Sequence, residues 1–397
     1  MKHYSVREEY VEVLNKCIER PANFEEALFL TTANPHELTL LLKAALYVKE
    51  KYFGKTLTYS RKVFVPLTNL CRNRCAYCGF RKEPGTPGAG FLTFEKAMKI
   101  VKTGEKLGAK EVLISTGEKP ETKYEEARRF LRKLGYSSTV EYVRDFEERV
   151  LKETEYMMPH TNIGVLTKKE MAELKPLNAS MGLMLETISE RLMGKGLPHE
   201  NSPWKHPKIR LRMIREAGEL RIPFTTGILV GIGETWEERI KSLLVIREVN
   251  REYGHIQEVI IQNFMPEPGT PMETHPPPSP ITFLKTIAIA RLIFHGETSV
   301  QAPPNLSLRM YQTLLLAGIN DWGGISPLTP DFVNIKYPWP MISEVRKITE
   351  ELGYVLRERL AIYPKYIFKR WFSKTLEQRI LKIIDEKGLV RKDYEVF

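Results

Sequence analysis

Three of the four cysteines in this 397-residue chain, Cys71, Cys75 and Cys78, lie within one short run, CRNRCAYCGF. Thiolates at the spacing C-x3-C-x2-C can surround one small inorganic centre. A structural zinc ion takes four closed ligands, whereas an iron-sulfur cluster is held by cysteine thiolates and can leave one iron without a protein ligand. Because no histidine stands beside these cysteines, the spacing favours a cluster. The alternatives are a zinc site closed by Cys17 or His160, and a catalytic dithiol at Cys75 and Cys78.

The elements that must position these cysteines alternate between short apolar strands and amphipathic helices, which is typical of a parallel α/β sheet or barrel. Strands are predicted at residues 63–67, 111–116, 156–159, 179–185, 224–230, 258–264 and 298–302, with an eighth candidate near 318–321. Helices are predicted at residues 94–107, 208–220 and 236–252. Seven or eight such units predict a TIM-like (β/α) barrel, with its active site in the loops that follow the strands.

The predicted barrel occupies residues 56–342. Residues 1–55 are expected to form a helical N-terminal extension, and residues 343–397 a helical C-terminal tail outside the barrel.

Charge and composition argue against nucleic-acid and membrane partners. The net charge is +11, but lysine and arginine alternate with glutamate along residues 119–152 and 205–252, as on solvated, ion-paired helix faces. No secretion signal and no apolar stretch long enough to cross a bilayer are visible. Clustered thiols do not form a disulfide framework, so we expect a cytoplasmic enzyme. Cys17, on the apolar face of a predicted helix, is expected to be a small buried hydrophobe.

The cysteine run resembles the signature of the radical S-adenosylmethionine (radical SAM) family, with Tyr77 as the aromatic residue before the last cysteine. The resemblance implies a radical SAM type of barrel. It also implies a 4Fe-4S cluster on Cys71, Cys75 and Cys78, with SAM bound to the fourth iron through its amino and carboxylate groups.

Further segments resemble the SAM-binding elements of that family and follow the predicted strands in the same order. After the second strand, Gly117 and Glu118 match the element that receives the methionyl ammonium group, and Glu186 after the fourth matches the contact to the ribose hydroxyls. The segment GILVGIGE fits the spacing G-x-I-x-G-x-x-E found beside the adenine, with Leu229 in the apolar place. The resemblance therefore assigns SAM binding to Tyr77, Gly117, Glu118, Glu186, Gly227 and Gly231, with Glu234 closing the last motif.

Within the family, the chain resembles the CofG-type branch, which forms the deazaflavin 7,8-didemethyl-8-hydroxy-5-deazariboflavin (FO). The resemblance is carried by CRNRCAYCGFRK at 71–82, MPHTNIG at 158–164, QNFMPEPGTPM at 262–272, INDWGGISPLTPDFVN at 319–334 and YPWP at 337–340. It implies conversion of 5-amino-5-(4-hydroxybenzyl)-6-(D-ribitylimino)-5,6-dihydrouracil, here called the adduct, to FO. Ammonia, methionine and 5'-deoxyadenosine are released, so the enzyme is formally an ammonia lyase. A CofH-type partner supplies the adduct from tyrosine and a ribityl-diaminouracil, and an external electron donor is required.

Candidate substrate contacts follow from the chemistry of the adduct, which combines a pyrimidinedione, a ribityl chain and a phenol. His160 and Asn162 end the third predicted strand, and Asn305 suits a polyol or an imide. In INDWGG, expected at the mouth of the last strand unit, Asn320, Asp321 and Trp322 would supply two polar groups and a flat surface. Histidine at a strand end is often a structural donor, and asparagine and aspartate in loops often cap turns.

Three alternatives stay open at this point. The first is another single-cluster radical SAM enzyme, of the CofH type or a tyrosine lyase. The second is a metal-binding module without turnover, and the third is a nucleic-acid-modifying radical enzyme suggested by the net charge of +11. Enzymes that need an auxiliary cluster are excluded, because only Cys17 remains outside the run.

Overall fold

In the computed structural model, which describes residues 5–307 and 310–395, parallel strands form a closed barrel. The strands are β1 (Thr56–Thr68), β2 (Glu111–Thr116), β3 (Met158–Asn162), β4 (Ser180–Gly182), β5 (Phe224–Val230), β6 (Ile256–Asn263), β7 (Ser299–Gln301), β8 (Asp321–Ile325) and β9 (Val355–Arg359). Strands β1 to β8 follow one another around the ring, and β1 closes it by pairing with both β2 and β8. The predicted TIM-like barrel is therefore confirmed.

Helices surround this barrel and extend it at both ends. They are α1 (Glu8–Glu19), α2 (Phe24–Leu30), α3 (Pro35–Phe53), α4 (Phe94–Lys106), α5 (Glu125–Lys133), α6 (Thr139–Glu153), α7 (Lys168–Leu174), α8 (Pro207–Glu219), α9 (Trp236–Tyr253), α10 (Pro280–Phe294), α11 (Tyr311–Leu316), α12 (Ile342–Glu351), α13 (Pro364–Phe368) and α14 (Lys374–Ile383). In the described part of the chain, none of them combines the length and apolarity needed to cross a membrane.

Every predicted strand and helix overlaps one in the structure, but the limits of β1, β3, β4 and β8 differ from the prediction. Strands β2 and β5 have the predicted limits, and helices α4, α8 and α9 end within one residue of theirs. Strand β1 begins seven residues earlier than predicted, because polar residues interrupt its apolar pattern. Strand β8 begins at Asp321, where the predicted strand ended, so this residue lies at the amino-terminal end of the barrel.

The N-terminal helices α1, α2 and α3 pack on the outside of the barrel against α9 and α10. Asn34 caps the start of α3 with a capping box: its side chain accepts from the backbone N–H of Glu37, and its own backbone N–H donates to the Glu37 carboxylate. Cys17 is fully buried in the same hydrophobic core as the barrel strands. This burial agrees with its predicted function as a small apolar residue.

The C-terminal tail departs from the prediction of a helical segment outside the barrel. Strand β9 pairs in parallel with the start of β1, in register from Thr56 with Val355 to Ser60 with Arg359. The chain then crosses the amino-terminal end of the barrel, where the carbonyl oxygen of Ala361 accepts from Ser180 Oγ at 2.8 Å. Residues 355–363 therefore close the floor of the barrel. The prediction was wrong at β9, because this strand is defined by its pairing with β1 and its own sequence shows little strand periodicity.

One carboxyl group between the barrel and its helices is buried without a charge partner. Glu147 of α6 is fully buried and accepts from Thr161 Oγ1, while its Oε2 has no hydrogen-bond partner among the described residues. Burial raises the pKa of Glu147 to about 8, because the ionised form would be poorly solvated.

This raised pKa predicts that the protein loses stability as the pH rises. Below about pH 4.5 the Glu147 carboxyl is protonated in both the folded and the unfolded chain. Between about 4.5 and 8 only the unfolded chain ionises, so unfolding becomes easier, by on the order of 5 kcal/mol in total. Glu147→Gln should remove this part of the pH dependence in anaerobic urea unfolding. The half-exposed neighbour Glu148 provides the control Glu148→Gln, which should keep the wild-type slope; equal slopes in all three proteins would contradict the assignment.

Candidate active site inside the barrel

One cavity of about 320 Å³ opens among the carboxyl ends of the barrel strands. It brings together nine of the fifteen predicted site residues: Cys71, Cys75, Tyr77, Cys78, Gly117, Glu118, His160, Asn162 and Glu186. Six predicted site residues lie outside its wall: Gly227, Gly231, Asn305, Asn320, Asp321 and Trp322.

The cysteine loop is held against the end of β2 by backbone contacts around Gly117. The Gly117 N–H donates to the carbonyl oxygen of Thr68 at 2.7 Å, and the Glu118 N–H donates to Cys71 Sγ at 3.2 Å. A Cβ on Gly117 would lie 1.9 Å from the carbonyl oxygen of Leu70, so only glycine permits this approach. The structure therefore gives Gly117 a function in positioning the first cysteine.

The three thiols are close enough to influence one another. Burial raises the pKa of Cys71 to about 12, and the charges of Cys75 and Cys78 contribute further. Burial and Cys75 also raise the pKa of Cys78, against backbone N–H groups of Phe80 and Arg81 that favour its thiolate. Thiolates in such a group need a compensating positive charge, which a metal centre supplies.

This donor set fits a 4Fe-4S cluster. Cys71, Cys75 and Cys78 line one cavity, and each thiolate can bind a different iron.

The Glu118 carboxylate lies beside the cysteine loop and is oriented by an arginine. Arg72 donates to Glu118 Oε1 from Nε at 3.0 Å and from Nη2 at 2.7 Å, and its guanidinium lies 3.5 Å from the centre of the Trp204 ring. Gly164, with φ of +85°, has its backbone close to Glu118, since a Cβ there would lie 2.5 Å from Oε2. The second carboxylate oxygen, Oε2, has no hydrogen bond within the described chain.

The Glu186 carboxylate, which follows β4 and also lines the cavity, is held by two cations. Lys205 Nζ lies 2.5 Å from Glu186 Oε1, and Arg210 Nη2 lies 3.9 Å from the same oxygen. Burial alone would raise the pKa of Glu186, but Lys205 and Arg210 hold it below its ordinary value. Glu186 has φ of +65°, an uncommon backbone conformation for a residue other than glycine and one associated with functional sites.

Tyr77 belongs to the cysteine loop, and the centre of its ring lies 5.8 Å from Nζ of Lys205, the partner of Glu186. Its hydroxyl forms a 2.9 Å hydrogen bond with His199 Nε2, and its ring packs against the hydrophobic cluster that contains Leu229. Burial, with the charge of Lys205, lowers the pKa of His199 to about 3, so the imidazole is neutral at physiological pH.

The two glycines predicted to contact SAM, Gly227 in β5 and Gly231 directly after it, lie outside the cavity wall and are closely packed. A Cβ on Gly227 would lie 2.2 Å from the carbonyl oxygen of Ile260, and one on Gly231 would lie 2.7 Å from Pro278 Cδ. The Gly231 N–H donates to Glu234 Oε1 at 2.9 Å. Of this motif, it is Leu229 that reaches the cavity wall.

The two residues predicted at the end of β3 do reach the cavity. His160 Nδ1 is 2.6 Å from Ser180 Oγ, and burial lowers the pKa of His160 to about 4, so the ring is neutral at physiological pH. Asn162 lies on the same wall of the cavity.

The INDWGG segment does not present its polar residues to the cavity, contrary to the prediction. Asn320 Oδ1 accepts from Arg291 Nη2 at 2.5 Å and from the Val300 N–H at 2.9 Å. Asp321 accepts from Arg359 Nε at 2.6 Å and Nη2 at 2.9 Å. Trp322 is fully buried. The prediction failed because β8 begins at this motif, which places these residues below the active site.

Asn305 also lies outside the cavity wall, but it supports the wall. Its Nδ2 donates to Asp331 Oδ2 at 3.0 Å and to the carbonyl oxygen of Tyr337 at 3.1 Å. Asp331 and Asn334 of that loop line the cavity. Asn305 therefore fixes a loop that the site uses.

Further polar residues that no sequence motif predicted also line the cavity: Lys62, Glu111, Glu258, Asn263, Gln301 and Arg359. Glu258 is the single charged residue of β6, a parallel strand of a kind that is normally buried on both faces. That isolated charge is the signal that could have found Glu258, whereas Lys62, Glu111 and Arg359 each follow another charged residue in the sequence.

Comparison with known proteins agrees with this geometry. The profile of the radical SAM superfamily matches residues 65–246. The chain is 52% identical over 335 residues to a 7,8-didemethyl-8-hydroxy-5-deazariboflavin synthase of Methanopyrus kandleri, covering 84% of this chain and 100% of the relative. A protein of the same name from Methanocaldococcus jannaschii is 45% identical over 360 residues, covering 90% and 98% of the two chains.

Two solved structures share the fold. Methylornithine synthase (PylB) superposes with a TM-score of 0.70 at 20% identity, over 91% of this chain and 100% of that one. The FeFe-hydrogenase maturase HydG from Carboxydothermus hydrogenoformans superposes with a TM-score of 0.74 at 21% identity, over 96% and 88%.

The barrel, its cysteine loop and the family profile together define a radical SAM enzyme. Membership of this superfamily implies a 4Fe-4S cluster and S-adenosyl-L-methionine as cofactors. At 45 to 52% identity over nearly their whole length, the chain belongs to the 7,8-didemethyl-8-hydroxy-5-deazariboflavin (FO) synthase family.

The position of Asp321 predicts a stability defect for Asp321→Ala. The change leaves the buried Arg359 guanidinium without its main partner, which costs about 3 to 5 kcal/mol. Anaerobic urea unfolding measures this loss. The exposed pair of Arg391 and Asp393 provides the control Asp393→Ala, which should unfold like the wild type. If Asp321→Ala were as stable as the wild type but bound the adduct more weakly, Asp321 would have to be a substrate contact after all.

Proposed function

We propose that this enzyme converts the adduct to FO, with release of ammonia, methionine and 5'-deoxyadenosine, as an ammonia lyase of class 4.3.1. The observation that carries the proposal is the identity of 45 to 52% to relatives named for this product, over 98 to 100% of their length. The cavity supports it, because the cysteine loop, two oriented carboxylates and a polar floor surround one space.

Cys71, Cys75 and Cys78 are the proposed ligands of the 4Fe-4S cluster, and the fourth iron is left for SAM. When bound, the cluster and SAM supply the one-electron chemistry that removes a hydrogen atom from the substrate. The protein's residues place the reactants and keep water away from them.

Glu118 and Glu186 are the proposed polar contacts of SAM. In both carboxylates the hydrogen bonds from the protein fall on Oε1, and in the described chain none falls on Oε2. Glu118 Oε2 suits the methionyl ammonium group, and Glu186 Oε2 suits the ribose hydroxyls. Arg72 and Lys205 hold the two carboxylates in place for these contacts.

The other SAM contacts are apolar or come from the backbone. Tyr77 and Leu229 belong to one hydrophobic cluster, line the cavity and suit the adenine and the sulfonium region. Gly117 acts through the backbone geometry that orders Cys71. His160 and Asn162 are proposed substrate contacts, and the neutral imidazole at position 160 offers a hydrogen bond without a charge.

The proposed reaction requires two partners. A CofH-type subunit supplies the adduct, and an electron donor reduces the cluster. Iron bound by reduced thiolates fits a reducing cytoplasm. We divide the chain into an extension at residues 1–55, a catalytic barrel at 56–342 and a tail at 343–397 that includes the barrel floor.

Replacing any of Cys71, Cys75 or Cys78 by alanine should abolish cluster assembly and SAM cleavage. Two thiolates are too few to hold the cluster in a site that offers no fourth cysteine. Iron and sulfide per chain, with 5'-deoxyadenosine formation, measure the effect. Cys17→Ala is the matched control, since Cys17 is buried in another part of the fold, and it should retain both. Loss of iron in Cys17→Ala would overturn the three-cysteine assignment.

The function itself is tested by an anaerobic single-turnover assay with synthetic adduct, SAM and a chemical reductant. FO and 5'-deoxyadenosine are expected together from the adduct, and no adduct should form from tyrosine and the ribityl-diaminouracil. Formation of adduct from those two compounds would identify a CofH-type activity instead. Zinc in place of iron after anaerobic purification would identify a binding module.

A further inference from the structure

The two glycines of INDWGG lie at a β-bulge between β1 and β8. Thr58 pairs with Asp321 and Ser60 pairs with Gly324, so β8 uses one more residue than β1 over this interval. Gly323 has φ of +74°, which suits the bulged position. The bulge lets two consecutive residues, Gly323 and Gly324, both line the cavity, whereas consecutive residues of a regular strand face opposite sides.

Each glycine makes room for one polar side chain. A Cβ on Gly324 would lie 2.3 Å from Lys62 Cδ and 2.8 Å from Lys62 Nζ. A Cβ on Gly323 would lie 2.3 Å from Gln301 Nε2. The bulge therefore seats Lys62 of β1 and Gln301 of β7 over adjacent glycines.

The Lys62 ammonium lines the cavity without a hydrogen-bonding partner. Lys62 is 9% exposed, and its Nζ lies 4.7 Å from the centre of the Trp339 ring. Within the described chain, Lys62 Nζ makes no ion pair or hydrogen bond. Burial lowers the pKa of Lys62, and the charges of Glu111, Asp331 and Glu258 oppose this shift only at longer range. An ammonium group carries three donors, and burying them unpaired is costly, so the geometry calls for an acceptor from a ligand.

Gln301 offers the complementary group. It is 3% exposed, and its Nε2 donates to the carbonyl oxygen of Trp322 at 3.3 Å, which fixes the orientation of the amide. Gln301 Oε1 is then a buried acceptor with no partner in the described chain. Asn263 also lines the cavity, and its Nδ2 donates to the carbonyl oxygen of Leu306 at 2.9 Å, which fixes the orientation of its amide. Asn263 Oδ1 is then a second acceptor with no partner in the described chain.

We propose that Lys62 and Gln301, seated on the Gly323–Gly324 bulge, recognise the pyrimidinedione ring of the adduct. Lys62 Nζ donates to a ring carbonyl oxygen, and Gln301 Oε1 accepts from the N–H that lies between the two ring carbonyls. This assignment rests on the proposed function and replaces Asn320 and Asp321 as the substrate contacts of the segment.

The ring fits this pair because it presents carbonyl acceptors on both sides of a single N–H donor. A charged donor and a neutral acceptor held side by side match two adjacent atoms of that edge. A ribityl hydroxyl could pair with either group, but each hydroxyl both donates and accepts, so it does not require this combination.

The first test is the affinity of Lys62→Met for synthetic adduct, measured by anaerobic equilibrium dialysis with the cluster and SAM in place. Loss of one charged hydrogen bond should weaken adduct binding about tenfold to a hundredfold. Iron per chain and SAM affinity should remain at wild-type values. Lys49→Met is the matched control, because Lys49 is a second buried lysine, which donates to the Gly54 carbonyl oxygen at 2.8 Å in the N-terminal helices. An unchanged adduct affinity in Lys62→Met, or an equal loss in Lys49→Met, would overturn the proposal.

The second test identifies the ring atom that Gln301 contacts. Methylation of the adduct at the nitrogen between the two carbonyls should weaken binding to the wild type roughly tenfold. The same methylation should leave the affinity of Gln301→Leu unchanged, because the variant has no acceptor to lose. Equal losses in both proteins would show that Gln301 acts elsewhere, for example on the ribityl chain. If the wild type binds the adduct but forms no FO, the proposed function fails, while the two affinity comparisons still decide the ring contact.

Discussion

The buried ion pair between Arg359 and Asp321 joins the C-terminal tail to strand β8 and so closes the floor of the barrel, on which the cavity depends. Arg359 belongs to the tail, Asp321 begins β8, and Glu258 of β6 accepts from the same guanidinium at 3.2 Å. Burying these charges is costly unless the network is complete, so the pair forms only when tail and barrel are correctly placed. The Tyr363 hydroxyl completes it by donating to Glu258 at 2.7 Å. This network closes the end of the barrel opposite the cysteine loop.

Above this floor, the site is shaped by close approaches that only glycine allows. Gly117 brings the end of β2 against the cysteine loop, and Gly323 and Gly324 give space to polar side chains of β7 and β1. At each of these positions a backbone carbonyl group or a neighbouring side chain occupies the space that a Cβ would need, so only glycine fits. Gly227 and Gly231 of GILVGIGE follow the same principle, although the atoms that occupy their space belong to β6 and to the segment before α10 rather than to the cavity.

The polar groups of the cavity form two sets. Glu118 and Glu186 follow β2 and β4, where cations hold both carboxylates and each keeps one oxygen without a hydrogen bond in the described chain. Lys62 and Gln301, seated on the Gly323–Gly324 bulge, form the second set, and Gln301 pairs with Asp321 of the floor. The proposed function assigns SAM to the first set and the substrate ring to the second, so that one cavity holds two different ligands.

The sequence by itself determined the chemistry and most of the elements. Three cysteines at fixed spacing, the order of the SAM motifs and the periodicity of β2, β5, α4, α8 and α9 are local properties, so they could be predicted. Only the tertiary structure decided that INDWGG lies at the amino-terminal end of β8. Asp321, predicted as a substrate contact, therefore belongs to the floor of the barrel. The tertiary structure also decided that the tail supplies β9 and that Lys62 faces the cavity. These facts depend on strand register and on pairing between residues hundreds of positions apart, and neither leaves a periodic signal in the chain.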